Sequence, residues 1–362
     1  MIKIKNKLII IIIYLLFFLA GDIIFSNFIY KKDVAHNCYK YLEKFYYLKE
    51  NCYSKEKWIK KIISYDVYID KNGFRYSGKK NKNKDNVVAF LGGSFTYGLG
   101  HSYEKSFVGI INESKKNFNI INLGVPGYSP SVFTYQLKKL LDKNLNPKKI
   151  FLVLDLIDVH NEASRWEKSL NNKQPTMVYK TNVNKEKNNI ENFKEQNFKG
   201  SRLIARSINN FFRSIRLKIS KSKEQSLKPG FSGWGDFTHR KIEDTNKKLW
   251  EPFGFREGLR KIEKSYSEVS FLAKSINSEI YIILYPWPDT LEYGQKSFNW
   301  ENFGTKLCKD ISCTKLLNLF PDFLKIKNNE KNWLTYLYID GDLHLTQEGQ
   351  RIIANKIINE GF

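Results

Sequence analysis

The 362-residue sequence predicts an α/β fold, a three-layer α/β/α sandwich in which helices cover both faces of a parallel sheet. Uncharged apolar runs at 87–91, 150–154 and 280–285 are typical of buried parallel strands, because such strands are covered on both faces. Stretches with apolar residues at helical spacing lie between and after these runs, as in architectures that alternate strands and helices. Those helical stretches lie near Phe107, Ile262 and Gln350.

The first residues have the order of an export segment. Lys3, Lys5 and Lys7 precede an uncharged stretch over 8–20. This order of basic and then apolar residues predicts a signal anchor over 1–30 that is not cleaved, with the rest of the chain outside the cytoplasmic membrane. The alternatives are a cleaved signal peptide and a buried helix of the globular domain.

Three domain-level expectations follow for the remainder of the chain. We expect an N-terminal extension over 31–85 and one α/β domain over 86–362, which is large enough for a real core. The stretch 168–250 is rich in Asn, Lys, Ser and Glu, and this composition predicts a partly helical insertion that could form a lid.

The cysteines and the net charge indicate which disulfides and which binding partners to expect. The four cysteines fall as two near pairs, Cys38 with Cys52 and Cys308 with Cys313, and local pairing is the simplest of three possible connectivities. The net charge of +23 is spread along the chain, so we expect no nucleic-acid partner. A basic surface would still favour anionic lipid headgroups or acidic glycans.

A glycine-flanked serine follows the first predicted strand. Ser94 comes after Gly92 and Gly93, where the run 87–91 ends and a helix is expected to follow. Open α/β sheets place their sites at the carboxyl ends of the strands, and a tight strand-to-helix turn presents a nucleophilic hydroxyl there. The pattern indicates acyl chemistry at Ser94; the alternative is a glycine-rich turn with a surface serine.

A base for this serine must come from a short list, since the sequence has only 5 histidines. His344 is the best candidate, because Asp342 stands two residues before it. Residues two apart in an extended segment point to the same side, so Asp342 can reach the imidazole and fix its tautomer. The alternative is a polar turn in which Asp342 or Thr346 caps the last helix.

Three segments together resemble the SGNH or GDSL hydrolases, a family named after its serine, glycine, asparagine and histidine blocks. The segment 92–98 resembles the serine block, although Gly93 stands where many members carry aspartate. The segment 122–128 resembles the glycine block, and 342–344 resembles the final block in its Asp-x-His form. That form is shared with membrane-associated polysaccharide acetyltransferases and with many anchored bacterial members.

The resemblance implies the flavodoxin-like variant of the fold and a division of roles. Ser94 would be the nucleophile, His344 the base and then the acid, and Asp342 the residue that orients His344. The backbone N–H groups of Ser94 and Gly127 would form the oxyanion hole, and no cofactor is needed. The segments 72–75 and 285–288 are also similar to the anchored subgroup.

The asparagine block is where the sequence departs from the family. No Gly-Asn-Asp follows the run 150–154, and the chain continues with Asp155, Asp158 and Asn161 instead. Asp158 or Asn161 could occupy the space of the oxyanion-hole asparagine. A carboxylate there would repel a developing oxyanion unless it is protonated or turned away.

These observations predict a membrane-anchored, extracytoplasmic serine esterase that acts on O-acyl esters. By resemblance and location, O-acetyl esters of cell-envelope glycans are the expected substrates. Two alternatives stay open. The first is an O-acyltransferase that passes the acyl group to an envelope polysaccharide, and the second is a non-catalytic glycan-binding protein on this fold.

Overall fold

A computed structural model of the chain describes residues 2–25, 38–57, 64–79, 86–167, 175–178 and 233–362. Two compact units are distinguished, Met1–Asp33 with Asn182–Leu227 and Val34–Thr181 with Lys228–Phe362. The first unit contains helix α1, Ile2–Ile24. Among the described residues no helix is both long and apolar enough to cross a membrane, so the predicted anchor over 1–30 has no support from the structure.

The second unit begins with short strands and continues with alternating strands and helices. The strands are β1 Tyr39–Tyr41, β2 Tyr46–Leu48, β3 Cys52–Glu56, β4 Tyr65–Ile69, β5 Arg75–Tyr76, β6 Val87–Leu91, β7 Asn119–Asn122, β8 Pro147–Leu154, β9 Trp166–Glu167, β10 Thr176–Met177, β11 Glu279–Leu284 and β12 Lys315–Asn318. The helices are α2 Ser94–Tyr97, α3 Phe107–Ser114, α4 Pro130–Leu141, α5 Leu156–Ser164, α6 Phe255–Ser275, α7 Pro288–Tyr293, α8 Trp300–Asp310, α9 Phe320–Asn329, α10 Trp333–Leu337 and α11 Gln347–Glu360. Short 3₁₀ helices lie at Tyr103–Lys105, Gly233–Thr238, Ile242–Asp244 and Lys247–Trp250.

The main sheet has 8 strands in the order β12-β11-β8-β6-β7-β5-β4-β3. The strands β12, β11, β8, β6 and β7 run parallel, as predicted for 87–91, 150–154 and 280–285. The prediction of a parallel sheet holds for these strands and not for the whole sheet, which is mixed, because β5, β4 and β3 pair antiparallel at one edge. The connection from β4 to β5 is a tight turn in which Asp70 accepts hydrogen bonds from the N–H groups of Asn72 and Phe74. Such a short turn can only reverse the chain, whereas a parallel neighbour needs a crossover of a dozen residues or more.

Helices cover both faces of the parallel strands. Successive side chains of a strand point to opposite faces, so Phe151 and Leu154 of β8 mark the two sides. Phe151 stacks on Phe362, which follows α11, with ring centroids 5.7 Å apart. Leu154 instead lies against Gly304 on α8. All residues of β6 are therefore buried, and the carboxyl ends of these strands form a sheltered edge.

Two disulfides connect elements of this unit. Cys38 is bonded to Cys52 and Cys308 to Cys313, which confirms the predicted local pairing. The first bond joins the segment before the β1–β2 hairpin to the edge strand β3. The second closes the turn between α8 and β12.

The predicted insertion over 168–250 is described only in part. β10 pairs antiparallel with β9, and the 3₁₀ helices of 233–250 bring Phe237 and Trp250 into the main hydrophobic core. The remainder of the segment, including the predicted lid, lies outside the described residues. The domain boundaries accordingly stay predictions.

Candidate active site

Ser94 lies where β6 ends and α2 begins. Two glycines make this turn possible, since a Cβ on Gly92 would meet the Thr96 hydroxyl oxygen at 2.0 Å and one on Gly93 would lie 3.0 Å from the Tyr128 carbonyl oxygen. Ser94 is the first residue of α2 and is partly exposed. The structure thus presents the Ser94 hydroxyl at the carboxyl end of a central strand, the usual place for a nucleophile in α/β folds.

His344 is carried by the loop between α10 and α11. The loop folds back on itself, because the Ile339 N–H donates to the His344 carbonyl oxygen at 2.8 Å and Tyr338 bridges to Leu345. The Asp342 N–H donates to the Ile339 carbonyl oxygen at 2.9 Å. Thr346 caps α11 by accepting from the Gly349 N–H, so the capping role falls to Thr346 and Asp342 is available to His344.

In the structure a chain of two hydrogen bonds connects Ser94 to His344 and His344 to Asp342. His344 Nε2 lies 2.8 Å from Ser94 Oγ, and His344 Nδ1 lies 2.6 Å from Asp342 Oδ1. Asp342 Oδ1 also accepts from the His344 backbone N–H at 2.8 Å. With Asp342 ionised, a neutral His344 carries its proton on Nδ1 and offers the Nε2 lone pair to the Ser94 hydroxyl.

Aromatic rings support the imidazole from one side. Phe95 stacks on His344 with ring centroids 4.8 Å apart, and its other contacts are Tyr285 at 4.8 Å and Trp287 at 6.4 Å. Trp287 is fully buried and donates its indole N–H to Asp155 Oδ1 at 2.7 Å. Trp287 therefore packs beneath the site.

Gly127 lies in a loop that follows β7 and packs on the Ser94 turn. The Val125 N–H donates to the Gly92 carbonyl oxygen at 3.2 Å. Gly127 has a φ of +80°, and its carbonyl oxygen accepts from the Trp166 indole N–H at 3.0 Å. The Tyr46 hydroxyl donates to the Pro126 carbonyl oxygen at 2.7 Å. The β1–β2 hairpin and β9 therefore hold this loop in place beside the nucleophile.

Asp158 and Asn161, the two candidates for the missing asparagine, both lie in α5 and are buried. Asp155 and Asp158 form a capping box, in which Asp158 Oδ2 accepts from the Asp155 N–H at 3.0 Å. Asn161 is buried a turn or more into the helix. Among the described residues neither side chain has a hydrogen bond to Ser94 or His344. Burial, followed by the charge of Asp155, raises the pKa of Asp158 well above its ordinary value.

Asp155, the first of the acidic residues that follow β8, is linked to the aromatic rings beside His344, because it accepts the Trp287 indole N–H. Its carboxylate is buried, and burial raises its pKa to about 6, against the opposing effect of hydrogen bonds from the Ile157 N–H and the Trp287 indole N–H and of the His344 charge. A second acidic group is thus connected to the imidazole of His344 through Trp287 and Phe95. Among the described residues no group of three or more His, Cys, Asp or Glu side chains is arranged to hold a metal ion.

Two side chains that brace the site were not among the predicted site residues. Asn122 donates to the Thr96 carbonyl oxygen at 2.8 Å and accepts from the Gly124 N–H at 2.9 Å, so it joins α2 to the Gly127 loop. Arg75 is buried and donates to the carbonyl oxygens of Tyr97 and Gly98. Arg75 stood in the segment 72–75 already singled out, but no spacing rule in the sequence links it to Ser94.

Comparison with known proteins gives matches to solved structures only. No family description matches the chain, and no curated protein matches it. A member of the lipolytic G-D-S-L family from Veillonella parvula is 12% identical over 76% of this chain and 96% of its own, with a TM-score of 0.40. This description names the family that the sequence motifs resemble.

Two esterases give similar values. The psychrotrophic esterase EstA from Pseudoalteromonas sp. is 12% identical over 76% of this chain and 96% of its own, with a TM-score of 0.39. A catalytic mutant of an acetylxylan esterase from Geobacillus stearothermophilus is 9% identical over 78% of this chain and 97% of its own, also with a TM-score of 0.39. Likenesses this distant carry no weight for function, and the geometry of the site stands on its own.

Proposed function

We propose that this protein is a serine ester hydrolase of the SGNH type. One observation carries the proposal, the continuous line from Ser94 Oγ to His344 Nε2 at 2.8 Å and from His344 Nδ1 to Asp342 Oδ1 at 2.6 Å. A serine is a weak nucleophile unless a base takes its proton, and an imidazole needs a partner that fixes its tautomer. Both requirements are met by residues 250 positions apart in the chain.

The proposed reaction has two halves. Ser94 Oγ attacks the ester carbonyl carbon while His344 Nε2 takes the hydroxyl proton, and the resulting imidazolium is stabilised by Asp342. His344 then gives that proton to the departing alcohol oxygen, which leaves an acyl group on Ser94. In the second half His344 takes a proton from water, the hydroxide attacks the acyl carbon, and the proton returns to Ser94 Oγ as the acid departs.

Two backbone amides are the proposed donors to the oxyanion. Ser94 is the first residue of α2, so its N–H is not used by the helix. Gly127 belongs to the loop that packs on Gly92 through the Val125 N–H. Preorganised donors of this kind are each worth about 10²–10³ in rate. The proposed hole uses Ser94 and Gly127, since Asp158 Oδ2 caps α5 and Asn161 is buried within that helix.

The proposed substrates are O-acyl esters, with O-acetyl groups on cell-envelope glycans as the specific class. The family resemblance of the Ser94, Gly127 and His344 segments supports the ester. The lysines before Leu8 and the two disulfides support a location outside the cytoplasmic membrane, where such glycans lie. A reporter fused after Phe362 should be active only on the outer side, and activity in the cytoplasm would contradict this location.

Hydrolysis and transfer are separated by one experiment. The protein is incubated with an activated acetyl ester, with and without glycan acceptors, and free acetate and acetylated sugar are measured separately. The esterase proposal expects acetate release without acceptor, and none from Ser94→Ala. Acetylated sugar without acetate release would make the protein an O-acyltransferase, and no acylation of Ser94 by any donor would favour a glycan-binding protein.

A further inference from the structure

We propose that His101 is a positioning residue that ties the turn carrying Ser94 to the loop carrying His344. The inference rests on the proposed function, since it concerns the alignment of that same site. His101 Nε2 lies 2.8 Å from the carbonyl oxygen of Leu345, the residue that directly follows His344. A carbonyl oxygen can only accept, so Nε2 carries the proton of this hydrogen bond. The bond joins segments 244 residues apart at the point where the reacting groups meet.

On the Ser94 side, His101 belongs to a rigid turn. The N–H groups of Gly98 and Leu99 both donate to the Ser94 carbonyl oxygen at 3.0 Å, and the His101 N–H donates to the Gly98 carbonyl oxygen at 3.1 Å. Gly98 has a φ of +81°, a conformation that glycine adopts without strain. The backbone of His101 is therefore held relative to the Ser94 backbone by three hydrogen bonds within the turn.

The side chain of Arg75 holds the same turn through hydrogen bonds to its carbonyl groups. Its guanidinium donates to the carbonyl oxygens of Tyr97, Gly98 and His101, the second at 2.9 Å, and lies over the Tyr97 ring at 4.3 Å. Arg75 is 1% exposed, so these contacts are shielded from water. A planar guanidinium with several donors holds three carbonyl groups in one arrangement. The turn from Ser94 to His101 therefore moves as one body.

On the His344 side, Leu345 is equally well fixed. Tyr338 bridges to Leu345, the His344 carbonyl oxygen accepts from Ile339, and the Leu345 side chain is fully buried. The Leu345 carbonyl group thus follows any displacement of His344. A misplacement of about 1 Å at a reacting group can cost about 10²-fold in rate. The His101 bond therefore controls the separation of Ser94 Oγ and His344 Nε2.

The global packing of the two segments does not depend on His101. The Phe107 N–H at the start of α3 donates to the Gln350 side-chain oxygen on α11 at 2.9 Å. This buried contact keeps α3 and α11 together whatever residue occupies position 101. Burial lowers the pKa of His101, and the charge of Arg75 lowers it further, so the ring is neutral at neutral pH and has one proton to donate. His101 acts through His344, and its removal should change the rate more than the stability.

The test compares His101→Leu with His101→Gln in the full-length protein, because the glutamine amide can reach the Leu345 carbonyl oxygen and leucine cannot. We expect His101→Leu to lower kcat for an activated acetyl ester about tenfold or more, with KM within about twofold and Tm within a few degrees. Phosphonate labelling of Ser94 should slow in parallel. His101→Gln should recover most of kcat. His239→Leu, at a half-buried histidine that packs on Tyr293, serves as the control and should leave kcat unchanged.

Two results would overturn the inference. The first is an unchanged kcat in His101→Leu. The second is an equal loss of kcat in His101→Leu and His101→Gln, which would show that the hydrogen bond to Leu345 has no role. Ser94→Ala is measured in the same series. If Ser94→Ala keeps its activity, the proposed function fails; if only Ser94→Ala is inactive while His101→Leu is normal, the positioning role alone fails.

Discussion

At the scale of single residues, the two nitrogens of His344 have different partners and therefore different tasks. Nδ1 faces Asp342 and Nε2 faces Ser94. The stacking of Phe95 on the imidazole restricts ring rotation, so the tautomer chosen by Asp342 is presented to Ser94 in one orientation. In the proposed mechanism Asp342 both orients the imidazole and stabilises its charge, and an isosteric change separates the two contributions.

Asp342→Asn should lower kcat by about 10³–10⁴ while the protein stays folded. An asparagine can still accept from the His344 backbone N–H, but its amide group allows the wrong imidazole tautomer. Steady-state kinetics and circular dichroism of Asp342→Asn, with Asp340→Asn as the matched control, check this. A larger loss of kcat in Asp340→Asn would show that the acidic member has been misassigned.

Asp155 gives a prediction about stability, because its carboxyl group is buried next to the site. With a pKa raised to about 6, the folded protein binds a proton that the unfolded chain, with a pKa near 4, has already released. Stability contributed by this proton is present below about pH 4 and is lost as the pH rises to about 6. The loss can reach about 3 kcal/mol.

Asp155→Asn should remove this component of the pH dependence. The asparagine still caps α5 and can accept from the Trp287 indole, so the fold is kept. The measurement is the free energy of unfolding of both proteins between pH 4 and pH 7. The wild type should lose stability relative to the variant over that range, and parallel curves would contradict the assigned pKa.

At the scale of elements, the Gly127 loop depends on structure contributed from elsewhere in the chain. The β1–β2 hairpin supplies Tyr46 to Pro126, and β9 supplies Trp166 to the Gly127 carbonyl oxygen. The disulfide between Cys38 and Cys52 ties that hairpin to the sheet edge. The N-terminal segment is thus part of the support of the site.

Gly127→Ala should destabilise the protein and lower kcat, because two penalties add. The φ of +80° costs an alanine about 1–2 kcal/mol, and its Cβ would meet Arg165 and the Tyr46 hydroxyl at 2.5 Å. Gly294→Ala is the control for backbone strain without a steric clash, since Gly294 has a φ of +79° and a ψ of −162° and no atom lies within 4 Å of an added Cβ. We expect both variants to lose unfolding free energy, and kcat to fall only in Gly127→Ala. An equal loss of kcat in both variants would contradict a specific role of the Gly127 loop in the site.

At the scale of the whole molecule, the parts of the fold that could be predicted are those marked by a local pattern of residues in the sequence. β6 and most of β8 and β11 are uncharged apolar runs, at 87–91, 150–154 and 280–284. Ser94 is recognisable as a nucleophile by its glycine-flanked turn, and His344 as its base because the sequence has only 5 histidines. The antiparallel edge of β3, β4 and β5 has no uncharged apolar run, because these strands are short and each contains charged residues beside its tyrosines.

The bracing residues of the site are the part that spacing could not predict. Asn122 and Arg75 reach Thr96 and Tyr97 across 26 and 22 residues, and His101 reaches Leu345 across 244. Each of these contacts joins a side chain to a backbone carbonyl group, which every residue carries. The sequence therefore cannot indicate which carbonyl group accepts the hydrogen bond, and only the folded structure shows it. A nucleophile and its base, in contrast, can be recognised from their residue types.

The central claim is that Ser94 is a nucleophile activated by His344, and covalent labelling tests it most directly. The full-length protein is treated with a serine-directed phosphonate, and the adduct is located by mass spectrometry of peptides. We expect one phosphonate per chain on Ser94, no adduct in Ser94→Ala, and labelling slowed by several orders of magnitude in His344→Ala, because a triad acts as a unit. Equal labelling of the Ser94→Ala protein, or labelling of Ser94 that does not depend on His344, would contradict the account.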